Sequence, residues 1–105
     1  MARQYVYLLR EREFIALKQD IYKIGYTKRS VPTRFKEYSK NSEMLAFRVV
    51  RDGKRTEDSL KSAFKNAFVH CKHIGEEYFE GNLDEMLNLF FALSNAPLIV
   101  TSKYF

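Results

Sequence analysis

The sequence contains one cysteine, Cys71, which excludes an internal disulfide and suits a reducing compartment. Proline is nearly as scarce. Of the two, Pro32 stands where the first turn of a helix tolerates it, and Pro97 where it would stop a helix from continuing. Long apolar runs are missing: the longest, such as residues 89–93, fall far below the roughly 18 residues of a membrane span. No apolar h-region follows Met1-Ala2-Arg3-Gln4, which opens directly into a strand pattern. A soluble, intracellular protein of cytoplasm or nucleus, with no membrane partner, is therefore expected. Low-complexity and linker-like tracts are absent as well, and 46% hydrophobic with 30% charged residues is a globular balance. A length of 105 residues fits one domain, 1–105, with a single core.

Acid is short where base is abundant. Residues 1–40 hold ten Lys/Arg against four Asp/Glu, residues 41–72 seven against four, and residues 73–105 one against five. Such a basic face favours a polyanionic partner, nucleic acid above all, because displaced counterions drive the binding. The plainer reading is the solvated surface of a basic protein.

In chain order the elements read β-β-α-β-α-(β)-α, an α/β (α+β) fold with a small antiparallel three-stranded sheet flanked by helices. Tyr5, Tyr7 and Leu9 alternate with Val6 and Leu8, so both faces of the first strand are apolar and the strand is central. Residues 10–20 are too long for a tight turn and read as an extended, partly ordered hairpin loop. The second strand covers 21–26. Ser30 then caps a helix over 31–39, in which Phe35 and Tyr38 share a face. Residues 44–51 form a third strand, which Asp52-Gly53 ends with a turn. Thr56 caps a helix over 57–69, whose Leu60, Ala63, Phe64, Ala67 and Phe68 recur at helical spacing. A short extended piece spans 76–80. Asn82 with Glu85 starts a helix to about Ser94, and residues 98–105 pair as a last edge strand.

The chemistry gathers at Tyr22-Lys23-Ile24-Gly25-Tyr26-Thr27 and the Lys28, Arg29 and Arg34 that follow. An arginine just past a strand end, beside amides at a helix N-terminus, is suited to hold a phosphate. Lys28, Arg29, Lys36 and Lys40 are candidate nucleic-acid contacts, and Tyr26 could stack on a base or line the cleft. The donors of His70-Cys71-Lys72-His73 are crowded and lack a second cluster, a poor tetrahedral zinc site.

With these motifs in order, the chain resembles the GIY-YIG nuclease superfamily, and more closely its phage and large-DNA-virus (T5 Orf172-like) branch of DNA-binding domains. The resemblance rests on Tyr5-Val6-Tyr7, the Tyr22-to-Thr27 strand, Arg34, Glu57 with Leu60, and Glu77-Tyr78-Phe79 after Gly75. It implies that Tyr7 positions or deprotonates the attacking water, that Arg34 binds the scissile phosphate, and that Glu57 holds one divalent ion, Mg²⁺ or Mn²⁺. Hydrolysis of a phosphodiester needs these three functions. Tyr5 replaces the glycine of the first motif and Lys23 the tyrosine of the second, and Lys23 could hydrogen-bond the nucleophile or lower the pKa of a neighbouring phenol. The asparagine that many members carry has no clear match, Asn66 and Asn82 being the candidates. Taken singly, Tyr7 is a core strand tyrosine, Arg34 a surface cation and Glu57 a carboxylate answering a helix dipole. Together they point to a DNA-binding domain with metal-dependent endonuclease chemistry. A binding-only module and, from another class, a protein-interaction adaptor using the acidic C-terminal helix are the alternative readings.

Overall fold

The computed structural model describes residues 3–29, 35 and 40–101, with side chains described as far as Ser94. Its elements run β1 (Gln4–Arg10), α1 (Arg12–Ala16), β2 (Ile21–Thr27), β3 (Glu43–Val50), α2 (Gly53–Ala67), β4 (Val69–His70), β5 (Tyr78–Glu80) and α3 (Leu83–Thr101). The helix expected over 31–39 lies outside the described residues apart from Phe35, which is helical and half-buried. No helix among the described residues is long and apolar enough to cross a membrane.

The sheet has five strands rather than the expected three, in the order β3-β1-β2-β5-β4, each pair antiparallel. β1 is central to the first three, as its two apolar faces require. Val6, Leu8, Tyr22, Ile24 and Ala46 point to one face and form the core with Leu60 and Phe64 of α2 and Met86 and Phe90 of α3. Phe64 lies edge-on to Phe68 and Phe79, with ring centroids 4.9 and 5.5 Å away, an arrangement that adds to what their burial contributes.

Several boundaries differ from the expectation, each for a local reason. Residues 10–20 are not an open loop. Phe14 and Ile15 are half-buried, and Glu11 caps a short helix whose Phe14 ring packs edge-on against Tyr78 at 6.0 Å. Asp52-Gly53 is not a turn, and Thr56 is not the cap. The Asp52 side chain accepts from the Arg55 amide at 3.1 Å, so α2 begins at Gly53, which lies against the Tyr26 ring and donates its amide to Gln4 Oε1 at 2.7 Å. Asn82 does cap α3, accepting from the Glu85 amide at 3.0 Å. That helix nevertheless runs past Ser94 and through Pro97 to Thr101, so 98–101 are helical rather than part of an edge strand. A helix already propagating loses one amide donor at a proline, whereas a new strand would have to order a fresh segment at a sheet edge.

Candidate functional site

Strand alternation sends Tyr7, Lys23, Gly25 and Thr27 to the face opposite the α2 core. Tyr7 stands directly across from Gly25 and is 1% exposed. A Cβ at position 25 would overlap the Tyr7 phenol at Cζ and Oη. Glycine is needed here because the ring lies flat against the strand, not because of an unusual backbone angle. The sequence motif thus becomes a physical object: a phenol held on the sheet by the absence of a side chain opposite.

Lys23, two residues before Gly25 on the same face, reaches Glu77 Oε1 at 3.6 Å and lies over the Tyr78 ring, its ammonium 5.7 Å from the ring centroid. Tyr78 is itself fixed by α1: its hydroxyl donates to both carboxylate oxygens of Glu11 at 3.0 Å, sixty-seven residues away in sequence. The segment 10–20 therefore braces the wall beside Lys23. Arg10 closes its base on the Gln19 carbonyl at 2.6 Å and on Asp20 at 3.6 Å.

Glu57 lies one turn inside α2 and is 3% exposed. Burial pushes its carboxyl up to about 6; the Lys61 ammonium at 3.7 Å opposes that shift, while the charge of the neighbouring Glu77 carboxylate and the hydrogen bond that protonated Glu57 donates to it add to the rise. Lys54 also approaches, at 3.8 Å. Glu77 consequently links Lys23 on β2 to Glu57 on α2, two site residues that share no sequence neighbourhood. Glu77, Tyr78 and Glu11 belong to this constellation although the sequence alone assigned them no role; the Glu77-Tyr78-Phe79 motif was the available signal.

The remaining candidates do not cluster as expected. Tyr26 lies on the opposite face from Tyr7, half-buried against the core and Gly53. Lys28 and Arg29 are exposed just beyond the end of β2, beside the start of β1, with the Arg29 amide donating to Thr27 Oγ1 at 3.0 Å. Lys40 is exposed near the other end of the sheet, where β3 starts opposite Arg10. Arg34 and Lys36 lie outside the described residues. Other cations take the place of Lys40. Because β1 starts where β2 and β3 end and where Gln4 holds the first amide of α2, exposed Arg3, Arg51, Lys54 and Arg55 join Lys28 and Arg29 at one end of the sheet. Asp52, Glu57 and Asp58 are nearby acids, and each is engaged, Asp52 as the cap of α2, Glu57 with Lys54 and Lys61, and Asp58 with Lys54 at 2.8 Å.

Among the described residues no group of three or more His, Cys, Asp or Glu could hold a metal ion. His70 stacks on Phe79, with centroids 4.9 Å apart, and Cys71 is buried.

No curated protein and no solved structure matches the chain. Residues 4–94, which include every element from β1 through most of α3, match the T5orf172 domain family. The pairing of Tyr7 with Gly25 and the basic sheet end accord with a DNA-binding, nuclease-like module, and the chain belongs to the T5orf172 domain family.

Proposed function

We propose that the chain binds DNA through the basic end of its sheet and hydrolyses a phosphodiester at a site built from Tyr7, Lys23, Arg34 and Glu57. The observation that carries this reading is the line from buried Glu57 on α2 through half-exposed Glu77 to Lys23, which shares the other sheet face with Tyr7 and Gly25. A buried carboxyl beside a second carboxyl and a lysine is costly to maintain for stability alone.

Glu57, with Glu77 within hydrogen-bond reach, offers oxygen donors only, the chemistry that Mg²⁺ or Mn²⁺ prefers. One such ion at Glu57 would supply charge stabilisation for the leaving oxygen. The chain's own groups do the rest. In this reading Tyr7, packed against Gly25, is the residue that orients the attacking water, the role the resemblance implies. Lys23 supplies a positive charge two residues away on the same face, favouring the phenolate. Arg34, through the resemblance, is assigned the phosphate. Lys28 and Arg29, with Arg3, Arg51 and Arg55 at the same end of the sheet, neutralise flanking phosphates.

Binding without cleavage is the second reading. It is favoured by Lys54 and Lys61, which lie 3.8 and 3.7 Å from Glu57 and satisfy its charge without a metal. A plasmid-nicking assay in Mg²⁺ and Mn²⁺ separates the two. Cleavage abolished by EDTA, by Tyr7→Phe and by Glu57→Gln supports the enzyme. Duplex binding with no nicking across supercoiled, linear and branched substrates leaves the binding-only domain.

A further inference from the structure

Among the described residues five large apolar side chains are well exposed, and Phe47 and Val49 are the two that share a strand and a face. Phe47 is 50% exposed and Val49 47%. Their register places Phe47 across from Tyr7 and Val49 across from Tyr5, so they continue outward the same sheet face that carries Tyr7 and Gly25. Tyr5 lies edge-on to Phe47, ring centroids 6.4 Å apart and planes at 63°, which fixes the Phe47 ring from one side. Tyr5 occupies the first position of the motif, where a glycine would leave the ring unsupported. β3 is the edge strand here, so nothing in the sheet lies beyond Phe47.

The surroundings of this face are cationic. Arg3 precedes Tyr5 by two residues and Arg51 follows Val49 by two, which sets both at its end, and Lys28 and Arg29 follow Thr27, the partner of Tyr5. A protein partner large enough to bury the face would meet the positive charge at its end, whereas a polyanion is drawn to it. Phe47 offers its ring on an open sheet, and a base can lie on such a ring only if it is not already stacked between neighbours in a duplex.

We propose that the Tyr5, Phe47 and Val49 face is a stacking platform for an unpaired nucleobase, and that the cations at its end hold the flanking phosphates of a single-stranded segment. The site is distinct from the groups assigned to hydrolysis and rests on the nucleic-acid reading above. It would hold the frayed or displaced strand beside the site and give the domain a preference for single-stranded or locally opened nucleic acid.

The test is fluorescence anisotropy with a labelled oligo-dT of about twelve nucleotides, a length within the usual single-strand site size, and a mixed-sequence duplex of equal length. Wild type, Phe47→Ala and Phe47→Trp are compared at one low salt concentration, with melting curves to confirm that all three fold. Phe47→Ala should weaken oligo-dT binding about tenfold, as the loss of one stacked base implies, leave duplex binding within about twofold, and be rescued by Phe47→Trp. Equal losses on both probes, no loss on oligo-dT, or a wild type that binds duplex alone would overturn the platform while leaving nucleic-acid binding in place. A wild type that binds neither probe would overturn both readings. Sedimentation at the assay concentration closes the remaining route: a dimer that Phe47→Ala dissociates would show that a second copy covers this face, and would also overturn the proposal.

Discussion

At the scale of single residues, Gly25 and Glu57 carry opposite kinds of constraint. Gly25 is required by what lies against it. Gly25→Ala must displace the Tyr7 phenol or bend β2, and overpacking of this kind costs about 1–3 kcal/mol. A melting curve that shows no loss for Gly25→Ala would mean that Tyr7 does not rest on that strand. Glu57 is constrained by its charge. Its folded carboxyl titrates at about 6, against an ordinary value of 4.5, so between those values the folded chain binds more protons than the unfolded one. Stability therefore falls as pH rises from about 4.5 to about 6 and is level above. Glutamine resembles the protonated acid. Glu57→Gln should match wild type below pH 4.5 and exceed it by about 2 kcal/mol above pH 6, since a tenfold change in proton affinity is worth roughly 1.4 kcal/mol. Denaturant titrations in EDTA across that range check it; a difference between the two proteins that does not vary with pH would sink the idea that burial raises the proton affinity of this carboxyl.

Among the elements, α2 is where position matters most, because one helix supplies both the core stripe and the buried acid. Leu60 and Phe64 are fully buried against β1 and β2, and Phe64→Ala should destabilise by about 3–5 kcal/mol, the usual cost of emptying a core aromatic. If Phe64→Ala unfolds at the wild-type denaturant midpoint, the core has been placed on the wrong side of the sheet. The period of Leu60, Phe64 and Phe68 was readable in the sequence, as was the alternation of β1 and β2, because an amphipathic repeat several residues long leaves a pattern. What gave no pattern was short or tertiary. β4 has two residues, too few to show a period, and the short extended piece expected over 76–80 becomes the sheet strand β5 because β2 offers an edge to Tyr78 and Phe79. Asp52-Gly53 reads equally as a turn or as a cap and first helical residue; the Tyr26 ring and the Gln4 side-chain carbonyl decide it, and neither is local. The brace from Glu11 to Tyr78 spans sixty-seven residues and is invisible to any window.

Seen as a whole molecule, the charge distribution is a consequence of topology. Along the chain, Lys28, Arg29, Lys36 and Lys40 are near neighbours and form the obvious basic cluster. The antiparallel sheet separates Lys40 from Lys28 by roughly the length of β1, about 20 Å at the usual rise of a strand, and it brings Arg3, Arg51 and Arg55 to Lys28 instead. Proximity in space therefore follows strand ends, not sequence order, and that distinction can be measured. If the basic end of the sheet meets the phosphates, duplex affinity should fall steeply with salt, and Arg51→Ala or Arg55→Ala should each weaken binding and lower the log–log salt slope by about 1, the share of one phosphate contact. Lys40→Ala should change the slope by much less, since its ammonium stands at the far end. All three residues are exposed, so none of these changes should disturb folding, and a loss of affinity can be assigned to contact. Slopes measured for wild type and the three variants on one duplex decide the matter. A Lys40→Ala slope that drops as far as the Arg51→Ala slope would return the interface to the sequence cluster and away from the sheet end.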